Sequence, residues 1–330
     1  MKAWLLDKAG DGIDKLHLAD VPDPTPREGQ IVVDLHYAGL NPADRYLAEN
    51  QYPARPTFPH ILGRDGVGVV IALGPNVTTL KVGQKVNIVY GEAGINQPGT
   101  FAGKLLAPIE TLGDIPRGWT DEQAAAAPLV YITAYQAISQ WDDLPRSGGT
   151  VLITGASGGV GVASIHVAKA LGHTVIGLSR SSEKAQKLRE IGADLTFDPT
   201  DADWKKAFKD QLGKKRVDLA IDNIGGPLFN DLIEVMGNHG RVSVVGRLAG
   251  PVPDFNTATL FFRRLRIGGV AVHAYTVAEA RSAWGEVLSL LNRTGAKPLI
   301  DSVHPFENLK DAFAQLARGP MGKVLIRVKP

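Results

Sequence analysis

The 330-residue sequence contains no cysteine. That excludes disulfides, thiolate nucleophiles and any zinc site built on thiolates. An excess of one charge is also missing. The 36 Lys and Arg against 34 Asp and Glu leave a formal net charge of +2, too little to favour nucleic acid or a polyanionic surface. The densest basic runs, Lys214-Lys215-Arg216 and Arg263-Arg264-Leu265-Arg266, are short. No apolar run reaches the roughly 20 residues of a membrane-spanning helix. Met1 to Asp7 lacks the long apolar core of a signal peptide. These absences lead us to expect a cytoplasmic protein with neither membrane nor nucleic acid as partner. The eight histidines show no H-x-x-x-H or other paired spacing, so no metal site is expected.

What is present changes character along the chain. Residues 1–120 read as short strands separated by Gly and Pro. Gln30 to Tyr37 is the strongest, and Gly63 to Ile71, Val86 to Tyr90 and Thr100 to Leu106 follow. Many short strands with such turns suggest a barrel or sandwich. Asn41 caps a short helix with Pro42 at its first position, and Thr120 caps a helix with an acidic first turn. From Val151 the pattern alternates. Strands are expected at Val151–Thr154, Thr174–Leu178, Leu195–Phe197, Val217–Asp222, Arg241–Val245 and Leu265–Val270, with helices at 159–171, 182–191, 202–212 and 227–236. That is a doubly wound α/β sheet of about six strands. Strands at Leu299–Val303 and Lys323–Val328 and helices at Val277–Asn292 and Leu309–Ala317 could extend this sheet or return to the first domain.

The most informative stretch is Val151-Leu152-Ile153-Thr154-Gly155-Ala156-Ser157-Gly158-Gly159-Val160-Gly161. A β-branched run breaks into glycines and then into helix-forming sequence. Gly155, Gly158 and Gly161 fit G-x-x-G-x-x-G, a relative of the dinucleotide fingerprint. Glycines let the backbone approach a pyrophosphate, and the N–H groups opening the next helix point at the anion. No Gly-Lys-Ser/Thr closes the loop, which rules out a P-loop. The spacing also fits the short-chain dehydrogenases, but none of the seven tyrosines has a lysine four residues later, as their proton transfer requires.

The second strand of the α/β region selects the cofactor. An NAD site usually ends this strand in Asp or Glu, which binds the ribose 2′-hydroxyl. Here Ser179-Arg180 stands at that point and Lys184 follows. Hydroxyls and cations suit a 2′-phosphate, so NADPH is expected, although Glu183 lies close by.

In order along the chain, Asn41-Pro42-Ala43-Asp44 with Tyr46, Pro59 to Val70, Val82-Gly83-Gln84-Lys85-Val86, Gly99-Thr100-Phe101-Ala102, Ala124 to Pro128, Gly155 to Gly161, Asp222-Asn223-Ile224-Gly225-Gly226 and Gly322-Lys323-Val324 resemble the medium-chain dehydrogenase/reductase superfamily. The match is to its zinc-free, zeta-crystallin-like quinone oxidoreductase branch. The resemblance implies a Rossmann doubly wound parallel sheet, residues 123–267, inserted in a GroES-like β-barrel catalytic domain, residues 1–122 and 268–330, with the active site in the cleft. Zinc-dependent relatives carry Gly-His-Glu where this chain has Gly63-Arg64-Asp65. Without a Lewis acid, reduction of a quinone or an activated C=C is the expected chemistry.

The resemblance also places Asn41 and Thr133 near the nicotinamide and the pyrophosphate on Gly158, Gly159 and Val160. It places the 2′-phosphate on Ser179, Arg180 and Lys184, with Asn223, Gly246 and Val270 lining the rest. Ser157 is a further cofactor-binding candidate. Tyr46, Tyr52, Arg64 and Tyr131 are the candidate catalytic donors or substrate contacts, and a homodimer is expected. Two alternatives stay open. One is an enoyl- or haloacrylate-type reductase whose acidic substrate pairs with Arg64. The other is a non-catalytic, crystallin-like NADPH-binding protein.

Overall fold

In the computed structural model, which describes residues 1–251, 254 and 256–329, the run Val151-Leu152-Ile153 is fully buried. It forms the strand Thr150–Ile153 inside a six-stranded parallel sheet. A strand apolar on both faces is what a sheet covered on both sides requires. Across this sheet the strands run Leu195–Phe197, Thr174–Leu178, Thr150–Ile153, Val217–Asp222, Met236–Val244 and Arg266–Gly269. Strand order therefore reverses between Thr150–Ile153 and Val217–Asp222. In such sheets that is where a crevice opens beyond the strand ends.

The helices Gly159–Ala170, Ser182–Glu190, Trp204–Leu212 and Leu228–Val235 alternate with the strands. Trp204, Phe208, Phe229 and Leu232 join Leu152, Ile176 and Val242 in one buried cluster. Burial of each such side chain is worth about 1.5–3 kcal/mol. Ser181 starts the helix Ser182–Glu190, its hydroxyl accepting from the Lys184 N–H at 3.3 Å.

A second sheet belongs to the other part of the chain. Its order is Ile300–Pro305, Lys323–Arg327, Gln30–Gly39, Asp65–Leu73, Lys85–Ile88 and Leu112–Gly113, and Lys104–Pro108 also pairs with Gln30–Gly39. Ile31, Val33 and Leu35 alternate into a core with Val70, Val86, Ile88 and Leu105, the period-2 pattern of a half-buried strand. Lys323–Arg327 pairs with Gln30–Gly39 in antiparallel register. The C-terminal pieces thus return to the first domain.

By packing, the chain divides into two units. One holds Met1–Leu129, Tyr275–Trp284 and the chain from Lys297 onward; the other holds Val130–Ala274 and Gly285–Ala296. The first unit extends past residue 122 because Ala124, Ala125 and Ala126 of the helix Asp121–Ala126 pack on Val67 and Leu325. Thr120 caps that helix in a capping box with Gln123.

Two strands differ from expectation. Met236–Val244 begins five residues before Arg241 because Met236 already pairs with Val217, and an irregularity then carries the register to Leu219↔Arg241. Gly237 to Gly240, with His239 at φ 60, reads as a turn in sequence. Lys104–Pro108 begins later than Thr100, since Thr100 and Phe101 donate their N–H groups to the Gly63 and Leu62 carbonyls instead.

Candidate functional site

The glycine loop follows the central strand as expected. Gly155 adopts φ +57, and the helix Gly159–Ala170 starts directly after Gly158. A Cβ at Gly161 would run onto the Gly155 carbonyl oxygen and lie 2.6 Å from Ala156 backbone carbon. The helix packs so tightly on the loop that a side chain there would displace both. Ser157, Gly158, Gly159 and Val160 are half-exposed, leaving the start of the helix accessible to an anion.

Beside the loop lies a buried polar cluster. Thr154 Oγ1 donates to Asp222 Oδ1 at 2.7 Å and accepts from the Asn223 N–H at 2.9 Å. Asp222 also accepts from the Ile224 and Gly225 N–H groups, each at 3.1 Å. Asn223 Nδ2 donates to the Thr154 carbonyl at 2.8 Å, while its Oδ1 is buried with no partner among the described residues. An unmet buried acceptor suits a hydroxyl donor. Together with the half-exposed Gly158 and Gly159 at the helix start, it shows that these residues fit a dinucleotide. Gly246 approaches this cluster closely: a Cβ there would stand 2.6 Å from the Asn223 carbonyl oxygen. Val270 donates its N–H to Val244 at 2.9 Å.

At the end of Thr174–Leu178, Ser179 Oγ donates to the Ser181 carbonyl and accepts from the Ser181 N–H. Arg180 is exposed and Lys184 half-buried at the following helix start. These groups share one corner of the sheet, and no carboxylate replaces Ser179 at the strand end.

In the first unit, Arg64 is the focus. Its side chain is only 8% exposed. Nη1 donates to the Tyr52 hydroxyl at 2.9 Å, the guanidinium carbon lies 4.3 Å from the Tyr52 ring centre, and Nε stands 3.6 Å from Asp44 Oδ1. Nε and Nη2 have no hydrogen-bond partner among the described residues, and neither do Asp44 Oδ1 and His60 Nε2. Burial pushes the Asp44 carboxyl up to about 6 against the pull of Arg64, and burial holds His60 below its ordinary value. Tyr46 sits half-buried on the helix Pro42–Ala48.

Asn41 starts that helix and is 3% exposed. Its N–H donates to Asp44 Oδ2, its Nδ2 to Asp65 Oδ2, and its Oδ1 accepts from Lys323 Nζ at 2.7 Å. Lys323 also pairs with Asp65 Oδ2 at 2.9 Å, and Asp65 Oδ1 accepts from the Leu129 N–H. The Asn41 amide is therefore committed at both ends inside this unit.

Comparison with known proteins supplies the family. The model described as alcohol dehydrogenase GroES-like domain matches residues 27–117, and that described as zinc-binding dehydrogenase matches residues 159–293. The human synaptic vesicle membrane protein VAT-1 homolog is 30% identical, with 96% of this chain and 84% of that protein covered. The chain belongs to the medium-chain dehydrogenase/reductase superfamily, in its quinone oxidoreductase-like branch. The quinone oxidoreductase of Sus scrofa is 28% identical over 93% of this chain and 92% of that protein. The acryloyl-coenzyme A reductase of Sulfurisphaera tokodaii is 28% identical over 94% and 96%. Among solved structures, an NAD-dependent alcohol dehydrogenase superposes with a TM-score of 0.91 at 29% identity over 100% of both chains. A mycobacterial protein complexed with NADPH gives 0.87 at 26% identity over 99% and 100%. The fold is the one this superfamily shares, a parallel Rossmann sheet with a GroES-like domain.

One candidate donor needs correcting. Tyr131, on the helix Pro128–Ser139 in the second unit, is 1% exposed, and its hydroxyl meets His166 Nδ1 at 2.7 Å, the two rings stacked. Burial raises the Tyr131 hydroxyl and lowers His166 to about 4, so a neutral tyrosine pairs with a neutral imidazole. That is a core pair, and Tyr131 presents nothing to a substrate. Thr133, two residues on, is 9% exposed.

Sequence reasoning passed over Thr154, Asp222, Ser181 and Lys323. Thr154 and Asp222 carried a signal, since each is a polar residue closing an apolar strand. Lys323 stood in the Gly322-Lys323-Val324 motif, but nothing in the sequence gave it a role, because its partners lie more than 250 residues away.

Proposed function

We propose that this chain is a zinc-independent, NADPH-dependent oxidoreductase that reduces quinones or α,β-unsaturated carbonyl compounds by hydride transfer. The glycine loop at the strand-order reversal, with the unmet Asn223 Oδ1 beside it and no carboxylate at Ser179, is the observation that carries the proposal. The quinone oxidoreductase relatives and the NADPH complex of a similar fold support it. Residues 1–122 and 268–330 form the catalytic domain in this reading, and residues 123–267 the cofactor domain.

Gly158, Gly159 and Val160 hold the pyrophosphate, with Ser157 at the loop; the Gly158 N–H closes the loop on the Gly155 carbonyl at 3.0 Å, so the Gly159 and Val160 N–H groups meet the anion. Ser179, Arg180 and Lys184 hold the 2′-phosphate, while Thr133, Asn223, Gly246 and Val270 line the nicotinamide half. When bound, the reduced nicotinamide supplies the hydride. Charge then grows on the acceptor's carbonyl oxygen, where a fixed donor lowers the barrier. Arg64, steadied by Tyr52, is that donor, and Tyr46 contacts the substrate. Zinc has no role here, because a guanidinium and an Asp65–Lys323 ion pair stand where zinc-dependent relatives carry Gly-His-Glu.

A second reading, reduction of an acidic enoyl or acrylate substrate, is favoured by one observation. The buried Nε and Nη2 of Arg64 match the two oxygens of a carboxylate.

Purified protein with NADPH and a panel of quinones, enones and acrylates separates these readings by loss of reduced-cofactor absorbance. Turnover of quinones or enones is expected. Turnover of acrylates alone selects the second reading, and NADPH binding without turnover on any acceptor refutes both. Arg180→Ala is expected to weaken NADPH binding by about tenfold or more, the worth of a charge-assisted hydrogen bond. Unchanged affinity would remove Arg180 from the site.

The expected homodimer fits the strand Arg266–Gly269, which ends its sheet, and Phe261, Phe262 and Ile267 beside it, 64%, 77% and 41% exposed. Sedimentation should show a dimer that Phe262→Glu weakens.

A further inference from the structure

We propose that Asp44 decides which acceptors Arg64 receives: with Asp44 ionised the site takes neutral carbonyl compounds, and an anionic acceptor binds only as Asp44 takes up a proton. This inference rests on the NADPH-dependent reductase reading above, and it joins the two substrate readings in one site.

Arg64 and Asp44 attract each other without a hydrogen bond. Nε stands 3.6 Å from Oδ1, and the two side chains are 8% and 0% exposed. Nη1 is committed to the Tyr52 hydroxyl at 2.9 Å, while Nε and Nη2 have no partner among the described residues. Asp44 is held by its other oxygen. Oδ2 accepts from the Asn41 N–H at 2.9 Å, the capping contact of the helix Pro42–Ala48, and Oδ1 is left facing the guanidinium without a donor. Asp44 therefore balances the charge of Arg64 but leaves its donors open. It acts on a substrate through Arg64, as a positioning residue that sets specificity.

With Asp44 ionised, the couple is neutral as a whole, and a carbonyl oxygen can still accept from Nη2 or Nε. A carboxylate on the same edge places two negative charges around one positive charge, where little water screens them. Like charges that share a site force one of them to take a proton. Asp44 is the one that yields. Burial already pushes its carboxyl up to about 6, whereas a haloacrylic acid is a far stronger acid.

The other groups facing this couple do not take over that role. Lys323 and Asp65 act on Asp44 with opposite signs and are paired with each other at 2.9 Å. His60 lies near Arg64, but its burial and the Arg64 charge both oppose its protonation. From pH 5.5 to 7.5 the empty site loses the Asp44 proton and the site holding an anion keeps it. Affinity for an anion should therefore fall as pH rises, by about tenfold across that range.

The test compares kcat/KM with NADPH for 2-chloroacrylate, which is ionised throughout, and for its methyl ester, which has the same double bond and no charge. The ratio of the two cancels any titration of the cofactor. In wild type the anion-to-ester ratio should fall about tenfold from pH 5.5 to 7.5. In Asp44→Asn, whose amide oxygen can still accept from the Asn41 N–H, the ratio should stay constant within about twofold. A flat ratio in wild type overturns the inference, and so does an equal fall in Asp44→Asn, which would give the proton to His60. Turnover of the ester or of quinones with none of 2-chloroacrylate at pH 5.5 overturns it as well. In each of these cases the reductase reading stands. If Asp44→Asn fails to fold, calorimetric titration of 2-chloroacrylate into wild type loaded with NADP+, in two buffers of different ionisation enthalpy, decides. Uptake of about one proton per anion at pH 7.5 is expected, and no uptake overturns the inference. No consumption of NADPH with quinones, ester or anion overturns the reductase reading and the inference with it.

Discussion

The buried pair Tyr131–His166 makes stability depend on pH in a way that can be worked out. His166 is 5% exposed and held at about 4 by burial, against an ordinary value of 6.5. Between those values the unfolded chain binds a proton that the folded chain refuses. Stability from this group is therefore complete above pH 6.5 and falls as pH drops towards 4. Integrated from pH 7.5 to 4.5, the loss is about 2.5 kcal/mol, and a folded value one unit higher still leaves about 2 kcal/mol.

Wild type alone would hide this. Asp44, raised to about 6 from 3.8, works in the opposite sense. The folded chain takes up that proton first, so acidification from pH 7.5 to 4.5 restores about 2 kcal/mol. The informative quantity is the difference between wild type and His166→Asn, whose amide offers the Tyr131 hydroxyl both an acceptor and a donor. Packing costs of the substitution do not vary with pH and cancel. Urea unfolding followed by tryptophan fluorescence at pH 7.5, 6.0 and 4.5 should show the wild-type advantage shrinking by about 2–2.5 kcal/mol. A difference constant to within about 0.5 kcal/mol would mean that His166 titrates as an ordinary histidine and that the buried pair is misread.

Three further outcomes are expected. Asp44→Asn should show the reverse trend, its stability relative to wild type falling by about 2 kcal/mol from pH 7.5 to 4.5; a flat difference in the same unfolding series would refute the raised Asp44. Gly161→Ala forces a Cβ against the Gly155–Ala156 backbone. It should cost about 3 kcal/mol or more and lower NADPH affinity, read by unfolding and ligand titration; a neutral variant would show that the loop yields. Asn87 is fully buried with neither amide atom partnered among the described residues. Asn87→Leu, close in volume, should therefore raise stability by about 1–2 kcal/mol, and a loss of that size would mean the amide is satisfied.

Much of the fold could be read locally. The alternation after Val151 locates each strand of the parallel sheet and the four helices between 159 and 236 to within a few residues, but misses the helix Ala258–Arg263, and Gly237 to Gly240 imitates a turn inside Met236–Val244. The Thr120 cap and the Pro42 helix start were equally visible, because caps are made by residues three or four positions apart. Lys323–Arg327 could not be placed this way. Its apolar alternation fits either sheet, and only pairing with Gln30–Gly39, nearly the length of the chain away, chooses one.

The candidate site divides along the same line. The sequence by itself determined the glycine loop and the Ser179-Arg180 strand end. It also determined the lack of any thiolate, since these depend on backbone freedom, side-chain chemistry and spacing within a few residues. Tertiary structure alone decided which carboxylate meets Arg64. Asp44 does, because Lys323 has already taken Asp65. It also turned Tyr131 from a donor into half of a buried pair, and it set Thr154, Asp222 and Asn223 against one another. Those contacts join residues dozens to hundreds of positions apart, and a linear pattern carries no information about which polar group will find which partner once water is excluded.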